Sequence, residues 1–443
     1  MGLASAFALL ADDSLPASYD GLKSHIDIAW IQASLARSGV ASVRRRKLPV
    51  EQAVWLVIGL ALSMDRPISD VVNHLDLALP DENGERQQVS LAAVIKVRDL
   101  VGAQPMEDLF RTTAQHWALG SADRLRWRGL MVLGIDGTTM RVPDTGENRD
   151  EFGLPGSSRR TAAYPQIRAV GLMVLRSHLL LDFEFSRFDA GEITQALPMV
   201  KRIPDDSLTI FDRGYIYFYL WRQISTEGKN RHWLCRARTN QKGVVVERFS
   251  RNDCIMEFHF SHVERQKHPD LPETFQARAV KYCRRGFRPG IVLTSLLDPK
   301  KYPSSEIVAL YHERWELELG FDEIKTHQLE RLESIRSKSP ERVKQEVWGI
   351  AIAYNLIRQE MEASAVSLDL PPRRLSFLMS LRLIRDLFGW AAIAKPGALP
   401  KMLIGLRRKL TALILPERRT KRSFPRHIKV KMSQYPRNPN HPA

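Results

Sequence analysis

The sequence predicts a mixed α/β protein with a helical domain at its N-terminus and further helices at its C-terminus. Residues 1 to about 120 place apolar side chains at helical spacing and contain few strand signals. Near residue 130 the pattern changes to short apolar runs that end in turns, and helical patterns resume at about 304. The order strand, hairpin, helix, strand, helix that begins at 130 is typical of a layered α/β fold.

The first domain is expected to span 1–122. Its helices are predicted at 18–39, 49–64, 90–101 and 105–117, with Pro49 in the first turn of the second. A basic cluster lies between the first two helices and contains Arg44, Arg45 and Arg46. Such a cluster is either a DNA contact or a solvated face.

The second region, 123–330, carries the strand signals. One hairpin is predicted to turn near residues 176–178, and a helix is predicted over 191–203. The stretch at about 231–300 is rich in strand formers and is expected to be a β-rich insertion. A helical region at 331–415 and a basic tail at 416–443 complete the predicted organisation.

Composition favours a nucleic-acid partner. The chain has 443 residues, 44% of them hydrophobic, which is enough for two or three domains with packed cores. Its formal net charge is +16, and a strongly basic chain of this size is typical of proteins that bind a polyanion. The segment from Lys401 to Ala443 holds twelve Lys or Arg residues and one acidic residue, so the tail is expected to contact phosphates.

Other classes of protein are disfavoured. The three cysteines are widely spaced, which argues against a disulfide framework or a zinc module and fits a reducing compartment. No signal peptide is evident, and the longest apolar run, at 53–64, is shorter than the ~20 residues that span a bilayer. We therefore expect a cytoplasmic, nucleoid-associated protein without a membrane segment.

Two aspartates occupy equivalent positions in the predicted strands. Asp136 follows the apolar run MVLGI and precedes Gly137, and Asp212 follows LTIF and precedes the turn at Gly214. A carboxylate at the carboxyl end of a strand points into the crevice where α/β proteins bind ligands. Aspartate before glycine is also common in ordinary turns, so each residue alone has a purely structural alternative.

The helix predicted over 304–328 carries a third acidic group. At about 100° per residue, four polar side chains fall within an arc of about 60° beside the buried face: Tyr311, Arg314, Glu318 and Lys325. The remaining acidic residues are predicted to be solvated, namely Glu313, Glu316, Asp322 and Glu323. The alternative for the polar stripe is a half-exposed ladder of i, i+4 ion pairs.

Three carboxylates on two strand ends and one helix can hold Mg²⁺ or Mn²⁺, which prefer oxygen ligands. Two such ions can activate a water or a 3′-hydroxyl and stabilise the leaving oxygen of a phosphodiester. Arg314 and Lys325 lie on the same stripe as Glu318, where they would contact phosphates.

The spacing Tyr311-x2-Arg314-x3-Glu318-x6-Lys325 resembles the YREK signature of bacterial insertion-sequence transposases of the DDE type. IDGTTMRVPD at 135–144 resembles the first aspartate motif of this family, and DRGY at 212–215 resembles its second motif. The helical N-terminus resembles the domain found in the group typed by insertion sequence four. The resemblance covers nearly the whole chain.

The resemblance implies a ribonuclease-H-like catalytic core with a β-rich insertion between the second aspartate and the glutamate, preceded by a DNA-binding helical domain. It implies that Asp136, Asp212 and Glu318 form the catalytic, metal-binding triad. The residues then expected to contact double-stranded DNA are Tyr311, Arg314, Lys325, Arg213 and the cluster Arg44, Arg45 and Arg46. It further implies a cut-and-paste endonuclease that joins transposon ends to target DNA and assembles as a homodimer in the synaptic complex.

One step of the family mechanism meets a departure in this chain. A relative that forms a hairpin intermediate places a tryptophan near the end of the insertion, where Gly290 stands here. Trp233 or Trp315 could take its role, but both are more simply read as core residues. The sequence also leaves two rival functions open. One is a metal-dependent nuclease or resolvase on the same core, and the other is an inactive DNA-binding derivative.

Overall fold

A nine-stranded sheet forms the centre of the computed structural model. The structure describes residues 26–40, 48–75, 88–122, 124–157, 160–161, 164–238, 241–283, 289–330, 332, 334–391 and 398–416. The strands of the large sheet are β1 (Met131–Arg141), β2 (Gln166–Val174), β3 (Leu180–Arg187), β4 (Ser207–Phe211), β5 (Arg231–Arg236), β6 (Val244–Ser250), β7 (Asp253–His259), β8 (Thr274–Tyr282) and β9 (Gly290–Thr294).

The spatial order of these strands is β3-β2-β1-β4-β5-β9-β8-β7-β6. β1 and β2 are antiparallel, as are β2 and β3, whereas β4 runs parallel to β1 and β5 runs parallel to β4. Three antiparallel strands followed by two parallel ones is the ribonuclease-H-like arrangement. The predicted fold class, a mixed-sheet α/β core with flanking helices, is therefore confirmed.

The predicted insertion needs one adjustment. β-Strands fill most of 231–300 as expected, but the first of them, β5, pairs in parallel with β4 and is the fifth strand of the core. The other four strands continue the same sheet outward from β5 through β9. A run of strand-forming residues shows that a strand is present, but not which strand it lies beside.

Helices pack against the sheet and against one another. They are α1 (Ile28–Arg37), α2 (Val50–Leu62), α3 (Ile68–His74), α4 (Leu91–Val101), α5 (Gln104–Ala122), α6 (Gly146–Phe152), α7 (Glu192–Met199), α8 (Phe218–Thr226), α9 (His262–Lys267), α10 (Ser304–Glu313), α11 (Trp315–Asp322), α12 (Pro340–Val366), α13 (Phe377–Ala391) and α14 (Leu399–Leu410). None of the helices in these described ranges is long and apolar enough to cross a membrane.

The helices begin where the sequence supplies caps. The Asp27 side chain accepts a hydrogen bond from the Ala29 amide, and Ser90 accepts one from Ala93, which satisfies donors at the starts of α1 and α4. Pro49 lies at the N-cap of α2, one residue earlier than predicted. α2 is buried along almost its whole length, in agreement with its continuous apolar sequence.

The N-terminal and C-terminal helices share one core. The long helix α12 packs against both α2 and α5, and nearly all the buried apolar residues in the described ranges belong to one cluster. Arg98 of α4 is buried and donates a 2.7 Å hydrogen bond to Gln345 of α12. The helices of 1–122 and of 331–415, which were predicted as two regions, therefore pack against each other.

Candidate active site

The two aspartates of the predicted triad lie where two parallel strands separate. The pairing of β1 with β4 ends at Ile135 and Phe211, and the next residues along the chain are Asp136 and Asp212. The strand register therefore brings the two residues side by side at the carboxyl end of β4. The expectation that the strand ends at Asp136 is wrong, because β1 continues to Arg141 in its pairing with β2. This is the position at which open α/β sheets bind ligands.

Asp136 is held in a partly desolvated position. Its Oδ1 accepts a 2.8 Å hydrogen bond from the Gly137 amide, and its side chain remains 21% exposed. Burial raises the pKa of Asp136 to about 6, and the neighbouring charge of Asp212 acts in the same direction. The Gly137 amide and the Arg314 guanidinium oppose this shift.

Asp212 begins a short 3₁₀ turn at Arg213–Tyr215. Its Oδ1 accepts a 2.6 Å hydrogen bond from the Gly214 amide, so the side chain caps the turn that follows the strand. Its main-chain carbonyl accepts a hydrogen bond from the Cys235 thiol of β5, at 3.1 Å. The Asp212 side chain therefore caps a turn, which was the structural alternative for this residue. It also lies at the end of β4.

Arg314 connects the helix to Asp136. Its Nη2 donates a 2.7 Å hydrogen bond to Glu318, and its Nη1 lies 3.7 Å from the carboxylate of Asp136. Burial works against the charge of Arg314, but the hydrogen bond to Glu318 and the nearby charges raise its pKa. All three carboxylates of the predicted triad therefore belong to one electrostatic cluster.

The helix that carries Glu318 is not a uniform α-helix. α10 and α11 meet at Arg314, and the segment Glu323–Gln328 is a π-helix, which changes the phase of the residues that follow. Lys325 lies in this π-helix and donates a 3.2 Å hydrogen bond to Thr138, two residues beyond Asp136 on β1. Burial lowers the pKa of Lys325.

Tyr311 lies apart from the exposed stripe. Its side chain is only 8% exposed, its ring is 6.5 Å from that of Tyr282, and burial raises its pKa to about 12. The structure therefore brings together Asp136, Asp212, Arg314 and Glu318, with Lys325 beside them, and keeps Tyr311 in a packed position.

The prediction that the other acidic residues of this segment are solvated is wrong for three of the four. Glu316 is buried against His178, Glu323 is paired with Arg358, and Glu313 is paired with Arg176. Asp322 is exposed, as predicted. The three exceptions face the body of the protein, where burying a charge requires a partner of opposite charge or a hydrogen bond.

The donor chemistry of the cluster fits a hard divalent cation, since all three predicted ligands are carboxylates. As the side chains are placed, no group of three His, Cys, Asp or Glu residues in the described ranges stands close enough to hold a metal ion. Arg314 lies between Asp136 and Glu318 and forms the link that joins them.

A fourth acidic residue lies beside this site, and the sequence did not point to it. Glu192, in the first turn of α7, places its carboxylate against Gly137 of β1 and pairs with Arg168 at 3.2 Å. The available signal was indirect: a glycine next to an active-site aspartate indicates a close approach of another group.

The remaining predicted residues have varied outcomes. Arg213 is exposed next to Asp212. The basic cluster Arg44, Arg45 and Arg46 and the tail from residue 417 lie outside the described residues. At Gly290, an added Cβ would lie 2.9 Å from the ring of Tyr282. Trp233 is buried and stacked on Trp221, whereas Trp315 is 43% exposed.

Comparisons with known proteins match both halves of the chain. The family model for the insertion element 4 transposase N-terminal region matches residues 16–111, and the model for the transposase DDE domain matches residues 127–356. The transposase InsG of insertion sequence element IS4, from Escherichia coli strain K12, is 35% identical over 429 residues, which are 96% of each chain.

Among solved structures, the piggyBac transposase synaptic complex with hairpin DNA aligns with 93% of this chain and 87% of its own. The TM-score of that alignment is 0.41 and the identity is 10%.

Proposed function

Since the chain belongs to the insertion sequence four group of DDE transposases, we propose that it moves its element by a cut-and-paste route. Membership makes the protein a DNA transposase that binds DNA and depends on a divalent metal. The proposal adds that it binds the terminal inverted repeats, cleaves both ends and joins them to target DNA.

We assign the metal ligands to Asp136, Asp212 and Glu318. The observation that carries this assignment is the strand register, in which both aspartates directly follow the last paired residues of β1 and β4. Two Mg²⁺ or Mn²⁺ ions bound there would activate the attacking oxygen and stabilise the leaving oxygen of the phosphodiester. Glu318 joins the aspartates through Arg314, which contacts both it and Asp136.

The cationic side chains around the triad are assigned to the DNA. Arg314 presents a planar fork that suits a phosphate, and Lys325 supplies a point charge beside Thr138. Arg213 is exposed next to Asp212, so it is available to the same DNA strand. Tyr311 supports this surface from a buried position. The helical N-terminal domain is assigned to recognition of the inverted repeats, and a homodimer is assigned to the synaptic complex.

The test is an in vitro reaction with linear DNA that ends in the element's own inverted repeats, a supercoiled target plasmid and Mg²⁺. We expect cleavage at the ends and joined products in the plasmid. Asp212→Asn should retain end binding in a gel shift and lose both cleavage and joining. Asp189→Asn is the matched control, because Asp189 is highly exposed after β3 and should behave as wild type.

Cleavage without joining would support the nuclease alternative and overturn the transposition route. An active Asp212→Asn variant would overturn the assignment of that residue. A denaturing gel of the cleaved ends also reports the hairpin step, because a covalently closed end migrates at twice the single-strand length. Open ends with efficient joining would show that this chain, with Gly290 where a relative has tryptophan, transposes without that intermediate.

A further inference from the structure

We propose that Thr138 of β1 is a positioning residue, which holds the Lys325 ammonium group where it meets a phosphate of the bound DNA end. The inference deepens the proposed function and rests on it, because that function assigns Lys325 to the DNA. Thr138 contacts neither the DNA nor the metal; it acts through Lys325 and sets the place of a positive charge beside the triad.

Thr138 lies on the face of β1 that carries the active site. Alternate residues of a strand share a face, so Gly134, Asp136 and Thr138 form one row along β1. A Cβ added at Gly134 would lie 2.6 Å from Cδ1 of Leu317, which shows that α11 packs directly on this row. Further along the row, the Lys325 ammonium donates a 3.2 Å hydrogen bond to the Thr138 hydroxyl.

Small residues keep the helical segment close to the sheet. Gly171 of β2 pairs with Asp136, and a Cβ added at Gly171 would lie 3.2 Å from the Phe321 ring. On α11, a Cβ added at Gly320 would lie 2.4 Å from Cε of Met173. This close approach brings a lysine on the segment within reach of β1. It does not fix the direction of the side chain, because the four-carbon stem of lysine is flexible.

Lys325 is held at both ends. Its backbone belongs to the π-helix Glu323–Gln328, which is anchored by the ion pair between Glu323 and Arg358. Its ammonium group is directed by the hydrogen bond to Thr138. The hydroxyl therefore supplies the constraint that a flexible side chain on a fixed backbone still needs.

The partner of Lys325 is a neutral hydroxyl, which orients the ammonium group without neutralising its charge. An ammonium group has three donors, so the bond to Thr138 leaves two for phosphate oxygens. Partial burial lowers the pKa of Lys325; the charge of Asp322 raises it, and that of Arg141 lowers it again. A second cation thus lies near Lys325, and a phosphate would relieve the repulsion between the two.

The alternative is that this hydrogen bond only completes the surface of β1. It lies at the surface, and its length of 3.2 Å is at the long end of the normal range. Thr138 and Lys325 would then contribute independently. The two roles differ in whether the effect of removing the hydroxyl depends on the lysine.

The experiment uses the full-length protein, DNA that ends in the element's inverted repeat, and Mg²⁺. It measures single-turnover cleavage, and end binding in a gel shift. Thr138→Val removes the hydroxyl and should slow cleavage about tenfold, while end binding stays at the wild-type level. Thr138→Ser keeps the hydroxyl and should cleave nearly as fast as wild type. Thr139→Val is the matched control, because Thr139 is a half-buried neighbour on β1 whose side chain points to the other face.

A double-mutant cycle tests whether Thr138 acts through the lysine. Lys325→Met should slow cleavage more than Thr138→Val does, and adding Thr138→Val to Lys325→Met should cause no further loss. Wild-type cleavage by Thr138→Val would overturn the inference, and so would an equal loss from Thr138→Val with and without the lysine. Wild-type cleavage by Lys325→Met would instead overturn the assignment of Lys325 to the DNA, on which the inference rests.

Thermal melting reports whether each variant is folded. If Thr138→Val does not fold, Thr138→Ala also removes the hydroxyl and should show the same loss of cleavage and the same dependence on Lys325. A wild-type rate in Thr138→Ala, or a rate in Thr138→Ser as low as that of the variants without the hydroxyl, would overturn the inference.

Discussion

The helical segment from α10 to the π-helix has two sides, and its acidic residues behave in opposite ways on them. On the outer side Glu318 is 36% exposed and shares Arg314 with Asp136. On the inner side Glu316 is 5% exposed and lies 2.9 Å from Nε2 of His178. Residues of the same type, two positions apart, are thus a proposed metal ligand and a buried structural group.

The inner side is organised as a network of buried charges. Arg358 of α12 pairs with Glu323 and lies 2.7 Å from Nδ1 of His178, which sits in the turn between β2 and β3. The Tyr354 hydroxyl donates a 2.9 Å hydrogen bond to Glu323. These contacts attach the segment that carries Glu318 to both the sheet and α12. The two faces of this helical segment therefore have different roles: the inner face stabilises the fold, and the outer face carries the proposed metal ligand.

The largest expected effect comes from removing the negative charge of Glu318 on the outer side. Glu318→Gln should reduce metal-dependent cleavage by about four orders of magnitude, which corresponds to several kcal/mol of activation free energy. The free energy of unfolding should change little, because Glu318 is partly exposed. Cleavage of labelled end DNA and urea unfolding would measure the two quantities. A variant that lost stability but kept cleavage would reverse the assignment of the faces.

The inner side should respond in the opposite way. Arg358→Met leaves Glu323 buried without its main partner and should lower the free energy of unfolding by about 4 kcal/mol. The outer-side control Arg314→Met should cost about 1 kcal/mol or less. The double variant Arg358→Met with Glu323→Gln should recover part of the loss, because no unpaired charge remains. Equal destabilisation by the two single arginine variants would contradict the claim that the inner side stabilises the fold more than the outer side.

A smaller effect should appear as a dependence on pH. Burial opposes ionisation of Glu323, but the charges of Arg358 and His178 lower its pKa to about 2. Folding lowers the pKa of Glu323, so its ionised carboxylate stabilises the folded protein fully above the unfolded pKa of about 4.3. This stabilisation is lost as the pH falls toward 2. The loss amounts to about 3 kcal/mol. Urea unfolding between pH 6 and pH 3 should show that the free energy of unfolding falls less steeply with decreasing pH in Glu323→Gln than in wild type. An identical dependence on pH in the two proteins would contradict the prediction.

The sequence could point to residues of the outer side because the signals there are local. An apolar run followed by an aspartate and a fixed spacing along one helix can both be read directly from the sequence, and they point to Asp136, Asp212 and Glu318. The inner side depends on partners distant in sequence: His178 is 138 residues from Glu316, and Arg358 is 35 residues from Glu323. Charge and helical phase alone cannot distinguish a solvated glutamate from one that meets such a partner.

The same limit applies elsewhere in the molecule. Glu192 is brought to Gly137 by the packing of α7 on the sheet, which no local pattern encodes. β5 was assigned to the insertion because its composition resembles that of its neighbours, and only its parallel pairing with β4 places it in the core. The π-helix at Glu323–Gln328 shifts the phase of Lys325, yet Lys325 still reaches Thr138 on β1.

The continuous sheet has a mechanical consequence. β9 joins the ladder of β5 through only three residue pairs. Within the outer strands, Arg278 of β8 forms an ion pair with Asp253 of β7 and donates a 2.7 Å hydrogen bond to the Tyr302 carbonyl. To displace the four outer strands relative to the core, the backbone hydrogen bonds between β5 and β9 must break or the sheet must twist as a whole.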